Sequence, residues 1–294
     1  MNGTINVLKP VGMTSADVVY HLKKKLNVSK IGHTGTLDPG ASGVLPICIG
    51  KGTRLAEYYT SQNKSYRAEL TLGIETDTED AFGNVLKTTL PQVKKEEFVK
   101  VIKGFIGKIG QIPPMYSSVR KNGKHLYEYA RKGIEIERTP RNIEIFSINI
   151  IKWSEDEYPR ALFDVICSKG TYIRTLCSDI GNKLGCGAHM SFLLRLSSGS
   201  FRIEDAWTFE EIEKAIENKE CNYVNPLSFG LNLPIIELPD FRVKAFCCGL
   251  PTDKNCLNND DFNNGTSVQV VNDNKLLGVG IWKDNRLYAN KVLS

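Results

Sequence analysis

Asp38 stands in the stretch Gly32-His33-Thr34-Gly35-Thr36-Leu37-Asp38-Pro39-Gly40-Ala41-Ser42-Gly43, which gathers one acid, one histidine, two threonines and four glycines. Its glycines and proline predict a loop throughout, and Asp-Pro-Gly alone is ordinary turn chemistry. A carboxylate on a loop that lets another chain approach its backbone can instead serve as nucleophile, base or electrostatic stabiliser. Arg174 is the second chemical group. It falls in the first turn of a helix that Thr171 is placed to cap, where the helix dipole disfavours a cation. An arginine there either points to solvent or meets an anion, a carboxylate such as Asp38 or a phosphate. The third is a basic segment. From Lys108 to Arg141 eight Lys/Arg face three acids, with Tyr116, Tyr127 and Tyr129 interleaved. Cations track phosphates and aromatic faces stack on unpaired bases, although one charge run alone reads more readily as a solvated face.

Other chemistries are excluded by spacing. Gly50-Lys51 is followed by Gly52 and lacks the first glycine of a phosphate-binding loop. No dinucleotide fingerprint follows a strand, and no His-Glu-x-x-His occurs. Ser61-Gln62-Asn63-Lys64 has none of the partner motifs of a serine acyltransferase. Cys177, Cys186 and His189 match no zinc spacing, so buried thiols are expected and no metal.

The elements that must position these groups follow from periodicity. Thr14 or Ser15 can cap a helix with Val18, Val19, Leu22 and Leu26 on one face. Tyr66 to Leu72 alternates as a strand, and Glu97 to Ile106 returns to helical spacing. A short helical patch surrounds Leu126, Tyr129 and Ala130. A strand from Ile143 slips its alternation at Phe146-Ser147, the mark of a bulge, and Leu162 to Cys167 is another strand. Ile173, Leu176, Ile180 and Leu184 form a helix face stopped by Gly185. Thr208 with Glu211 makes a capping box flanked by Trp207 and Ile212. Pro226, Pro234 and Pro239 mark a linker, beyond which short strands at 268–271, 276–282 and 286–288 suggest a small all-β module.

The chain has 294 residues, which suggests two domains, and a net charge of +5 that the basic segment accounts for in full. At 41% hydrophobic and 24% charged it is neither collagen-like nor disordered. The opening residues lack the charge and apolar core of a secretory leader, no apolar run is long enough to span a bilayer, and the eight cysteines form no framework. A cytoplasmic protein is expected.

Five stretches together resemble the bacterial tRNA pseudouridine 55 synthases, the T-loop pseudouridine synthase family. They are Leu8-Lys9-Pro10-Val11-Gly12-Met13-Thr14-Ser15, the Gly32–Leu45 stretch, Gln111 to Ser118 continuing to Asn122-Gly123-Lys124, Cys167 to Arg174, and Gly185 to His189 leading to Leu193-Leu194-Arg195. They fall in the right order between Met1 and Asn232. The resemblance implies an α+β pseudouridine synthase fold over 1–232, a mixed, largely antiparallel sheet with flanking helices and an RNA-gripping insertion at about 108–141. It implies a PUA-like barrel over 235–294. That tail balances seven basic against seven acidic residues and carries an Asn/Asp-rich stretch at 258–264.

The resemblance further implies that Asp38 attacks the target nucleotide and that Arg174 pairs with it. Tyr66 would stack on the flipped base and help remove the C5 proton. Tyr172 and Leu193 would line the uracil pocket, and His33 would hold the nucleotide out of the stack. Lys121, Lys124, Arg131 and Lys132 would contact RNA backbone. The substrate would be the T-stem loop of tRNA, isomerised by a monomer without cofactor. Gly40 and Ser42 stand where the family more commonly has Leu and Thr. An RNA-binding protein without catalysis would not need Asp38, Tyr66 and Arg174 together. A glycoside hydrolase would need a second carboxylate, for which the Asp77, Glu79, Asp80 cluster has no evident placement. Guide-RNA-dependent relatives share the Asp loop, but the flanking motifs here have the bacterial form.

Overall fold

The computed structural model describes residues 1–257 and 262–293. The N-terminal part runs β1 (Gly3–Lys9), α1 (Ser15–Leu26), β2 (Ile31–His33), β3 (Ser42–Ile49), α2 (Ala56–Thr60), β4 (Lys64–Leu72), β5 (Ile74–Thr76) and β6 (Val85–Thr88). It continues through α3 (Lys95–Lys103), β7 (Gly107–Gln111), β8 (Arg120–Lys121), β9 (Lys124–His125), α4 (Leu126–Ala130), β10 (Arg141–Ser154) and β11 (Arg160–Cys167). Then follow α5 (Ile173–Lys183), β12 (Ala188–Ser198), β13 (Phe201–Arg202) and α6 (Phe209–Glu217).

One nine-stranded sheet, in the order β1-β3-β12-β4-β11-β10-β7 with β2 on β3 and β13 on β12, carries this part. Every pair is antiparallel except β12 with β3. The alternation of β4 sends Lys64, Tyr66, Ala68 and Leu70 inward, while Arg67 on the other face makes a two-pronged pair with Asp164 at 2.8 and 2.9 Å. Phe98, Ile102, Leu176, Cys177 and Ile180 from α3 and α5 close one core, which also takes in Cys186. Val18, Leu22, Ile212 and Ala215 from α1 and α6 close a second against Ile5, Val7, Leu45 and Ile47.

Local signals explain most boundaries. Thr14 caps α1 in a reciprocal box with Asp17, and Thr208 caps α6 with Glu211. The expected bulge lies between Ile145 and Ser147, and Gly185 follows α5 with φ +76°. Three sequence expectations change in this first part. Thr171 does not cap α5: its hydroxyl donates to Ser168 O at 3.0 Å, and Tyr172 holds the cap position. The glycine-rich stretch is not all loop, because cross-strand pairing draws Gly32 and His33 into β2 and Ser42-Gly43 into β3. The proline-marked linker is packed, with Leu227, Phe229 and Leu231 joining an apolar cluster.

Beyond it come β14 (Ile235–Glu237), α7 (Asp240–Cys247), β15 (Thr252–Asp253), β16 (Ser267–Asn272), β17 (Lys275–Lys283) and β18 (Arg286–Val292), in one sheet ordered β14-β16-β17-β18-β15. Helix α7 corrects the all-β expectation; its Phe246 enters the core with Ile236, Val268 and Trp282. Of the Asn/Asp-rich stretch, residues 258–261 lie outside the described residues. Val271, Leu276, Val279 and Leu293 share a buried cluster with Val44, Leu55, Tyr59 and Phe201 of the first part. Around it Lys291 pairs with Glu57 at 3.1 Å, Asn290 donates to the Tyr58 hydroxyl, and Arg54 donates to Val292 O. Among the described residues no helix is long and apolar enough to cross a membrane.

Candidate active site

The loop from Thr34 to Ala41 is built to hold Asp38 still. Ala41 N donates to Asp38 O at 3.0 Å, closing the Asp-Pro-Gly turn. Ser15 Oγ accepts from Leu37 N at 2.9 Å, tying the loop to the start of α1. From below, the fully buried Lys9 donates to Ala41 O at 2.7 Å and Pro10 O at 2.8 Å. Arg195, also buried, donates through Nε to Val44 O at 2.6 Å and through Nη2 to Gly35 O at 3.1 Å. Close packing completes the seat. Gly43 has φ +110°, and a Cβ there would fall 2.3 Å from Arg195 O, so only glycine lets β3 approach β12 this closely.

Arg174 faces that loop from the second residue of α5. Its Nε lies 2.9 Å from Asp38 Oδ2, and Nη2 reaches Oδ1 at 3.4 Å. Nη1 donates to Thr78 O at 2.9 Å and Nη2 to Tyr116 O at 2.8 Å, so one guanidinium joins three segments distant in sequence. Its side chain is 5% exposed against 37% for Asp38, which leaves the carboxylate open to the cleft while its partner is buried. The carboxylate accompanying the helix-start arginine is therefore Asp38, with Asp80 Oδ2 a further 3.9 Å contact.

Asp38 and Arg174 line a cleft of about 970 Å³ together with Tyr66, Tyr172 and Leu193. Sheet register makes this meeting possible: Tyr66 on β4 stands opposite Arg195 on β12, which itself stands opposite Gly43 on β3. Burial pushes the Tyr66 phenol up, and the Arg195 guanidinium beside it pulls the other way. Burial also raises Tyr172. Tyr172 N donates to Gln111 Oε1 and Gln111 Nε2 returns a bond to Tyr172 O, clamping the start of α5 to β7.

The other expected residues are placed differently. His33 sits in β2 outside the cleft lining; burial lowers its pKa, and its Nδ1 has no hydrogen-bond partner among the described residues. In the basic segment only Arg131 of the four expected RNA contacts reaches the cleft, with Cζ 5.3 Å from the Tyr127 ring centroid, and Tyr127 stacks on His125. Lys124 and Lys132 are exposed, and Lys121 donates to Glu137 O.

Sequence reasoning missed Lys9, Lys64, Arg195 and Asp80. The first three carried a signal, since alternation puts each on an inward face beside apolar neighbours, where a charge demands partners. Lys64 lines the cleft and donates to Thr60 O and Gln62 O; burial pulls it and Lys9 down to about 8. Asp80 carried none. Within its acidic cluster Asp77 caps Asn84 N and Glu79 turns to Thr175 Oγ1, leaving Asp80 to face the cleft.

Residues 23–173 match the family described as TruB family pseudouridylate synthase (N terminal domain), and residues 174–228 match the tRNA pseudouridylate synthase B C-terminal domain. A tRNA pseudouridine synthase B of Alkaliphilus oremlandii is 54% identical over 231 residues, 79% of this chain and 76% of that protein. One from Clostridium kluyveri is 45% identical over 97% of this chain and 96% of its own length. Among solved structures, a Cbf5-Nop10-Gar1 complex aligns with TM-score 0.78 and 29% identity over 99% of this chain and 85% of that one. An H/ACA RNP bound to a substrate RNA containing 2′-deoxyuridine aligns with TM-score 0.77 and 26% identity, covering 99% and 85%.

Proposed function

This chain belongs to the TruB family of pseudouridylate synthases, and from that premise we propose that its target is uridine 55 in the T loop of tRNA, with Asp38 as nucleophile. The chain isomerises uridine to pseudouridine in tRNA. The observation that carries the proposal is the half-open Asp38 carboxylate, fixed by a buried Arg174 at 2.9 Å in a cleft shared with Tyr66, Tyr172 and Leu193.

In the proposed reaction the uridine leaves the loop stack and enters this cleft, at a cost of only a few kcal/mol for a loop nucleotide. Asp38 attacks the bound nucleotide, and the N1–C1′ bond breaks. The base turns over between Tyr66, Tyr172 and Leu193, a C5–C1′ bond forms, and the bond between Asp38 and the nucleotide breaks to return the free carboxylate. The C5 proton then leaves and N1 gains one, so atoms and charge balance and no cofactor takes part. Tyr66 covers the base and helps remove the C5 proton, with the Arg195 guanidinium beside its oxygen. His33 keeps the nucleotide extruded. Residues 1–232 supply the chemistry and 235–294 a further RNA contact, in a cytoplasmic monomer.

The test is tritium release from C5-labelled uridine in a T-arm stem-loop holding one uridine, at position 55. Release, with pseudouridine mapped to that position, is the expected result. Release only from RNA lacking a T loop would overturn the position.

Lys121, Lys124, Arg131 and Lys132 are proposed to grip phosphates of the same loop. Replacing all four by Gln is expected to weaken binding at low salt and flatten the plot of log K against log salt, by about 0.7 for each phosphate no longer neutralised. A filter-binding salt titration reads this directly, and an unchanged slope would make the segment a solvated face.

A further inference from the structure

Phe82 lines the same cleft as Asp38 yet is 73% exposed. The mechanism above gives that ring nothing to do. An aromatic left in water beside a reacting carboxylate is a group waiting for a partner with a flat apolar face.

Its position is fixed. In the turn between β5 and β6, Asp80 Oδ1 accepts from Phe82 N at 3.0 Å and from Thr78 Oγ1 at 2.6 Å. Ala81 N donates to Met190 O at 3.0 Å, anchoring the turn to β12. The same Asp80 approaches Arg174 at 3.9 Å, so the turn that aims the ring is joined to the Asp38 pair.

The ring also rests on the Asp38 loop. A Cβ built on Gly40 would fall 2.0 Å from Phe82 Cε2 and 2.7 Å from Cδ2 and Cζ, so the edge of the ring occupies the space of a side chain at position 40. Gly40 is not in the left-handed backbone region, so its lack of a side chain serves the ring and not the turn. The cleft, at about 970 Å³, lies at the upper end of the range of about 300–1,000 Å³ for small-molecule sites. A single turned-out uracil leaves room for its neighbours.

We propose that Phe82 stacks on a nucleobase adjacent to the target uridine, holding the loop open once the uridine has left the stack. Extrusion deprives the flanking bases of a stacking neighbour, and an aromatic face replaces it without reading sequence. The inference rests on the T-loop reading above and adds a substrate-positioning contact to it.

Three variants separate stacking from gap-filling. Phe82→Leu keeps apolar bulk over Gly40 and removes the flat face; it is expected to raise KM for the T-arm about ten-fold, with the change in kcat the smaller of the two. Phe82→Ala combined with Gly40→Leu refills the space, and is expected to recover the thermal midpoint but not KM. Phe82→Trp keeps KM near wild type, and in an Asp38→Asn background its emission is quenched when T-arm RNA binds. Wild-type KM in either of the first two, or no quenching in the third, would overturn the stacking role while leaving the T-loop reading intact. Failure of the wild-type chain to bind T-arm RNA would overturn both.

Discussion

Asp38→Asn is expected to lower turnover of the T-arm uridine at least about a thousand-fold while leaving RNA affinity within about three-fold, because a nucleophile contributes to the chemical step and not to docking. The substitution keeps shape and keeps an oxygen able to accept from Arg174, and the loop survives because its restraints come from elsewhere. Leu37 is held by Ser15, Ala41 O by Lys9 and Gly35 O by Arg195, none of them through the Asp38 side chain. Single-turnover tritium release and filter binding on the same preparation separate the two effects. Turnover within ten-fold of wild type would remove Asp38 from its role.

Arg174 gives the second large effect, for a different reason. Replacing it by Met strands the Asp38 carboxylate and leaves Thr78 O and Tyr116 O without their donor. Breaking a fully buried pair costs about 3–5 kcal/mol. Asp38 is 37% exposed, so water recovers part of that; a loss of about 2–3 kcal/mol in folding stability is expected, and kcat/KM is expected to fall about 100-fold because Asp38 loses the partner that fixes its position. Arg174→Lys is expected to lose nearly as much, since one ammonium cannot span a carboxylate and two carbonyls that a planar fork reaches at once. Activity of the lysine variant within three-fold of wild type would show that charge alone suffices.

Much of this was legible in the chain. The cap of α1, the Thr208–Glu211 capping box, the bulge near Ser147, the strand through Tyr66 and the helix carrying Arg174 follow from local periodicity and side-chain-to-backbone bonds. Dipole reasoning asked for an anion beside Arg174, and Asp38 is there. Local rules failed where distant partners intervened. Thr171 yields the cap of α5 because Gln111, 61 residues away, bonds both polar groups of the Tyr172 backbone. Residues 32–33 and 42–43 become strand because β1, β12 and the rest of β3 offer ladder partners to a sequence with little strand propensity of its own.

What the sequence determined by itself, then, was which groups are candidates for chemistry, Asp38 and Arg174 among them, and most of the elements they ride on, since helix and strand periods and turn residues act over a few positions. The tertiary structure alone decided which acid of the 77–80 cluster faces Arg174, that His33 lies outside the cleft lining, and that Phe82 stands over Gly40. Those outcomes depend on strand order and register, which place β12 between β3 and β4, more than a hundred residues from either in sequence. A one-residue slip would turn Tyr66 and Arg195 to the opposite face, and the burial of the whole sheet, not any local signal, forbids it.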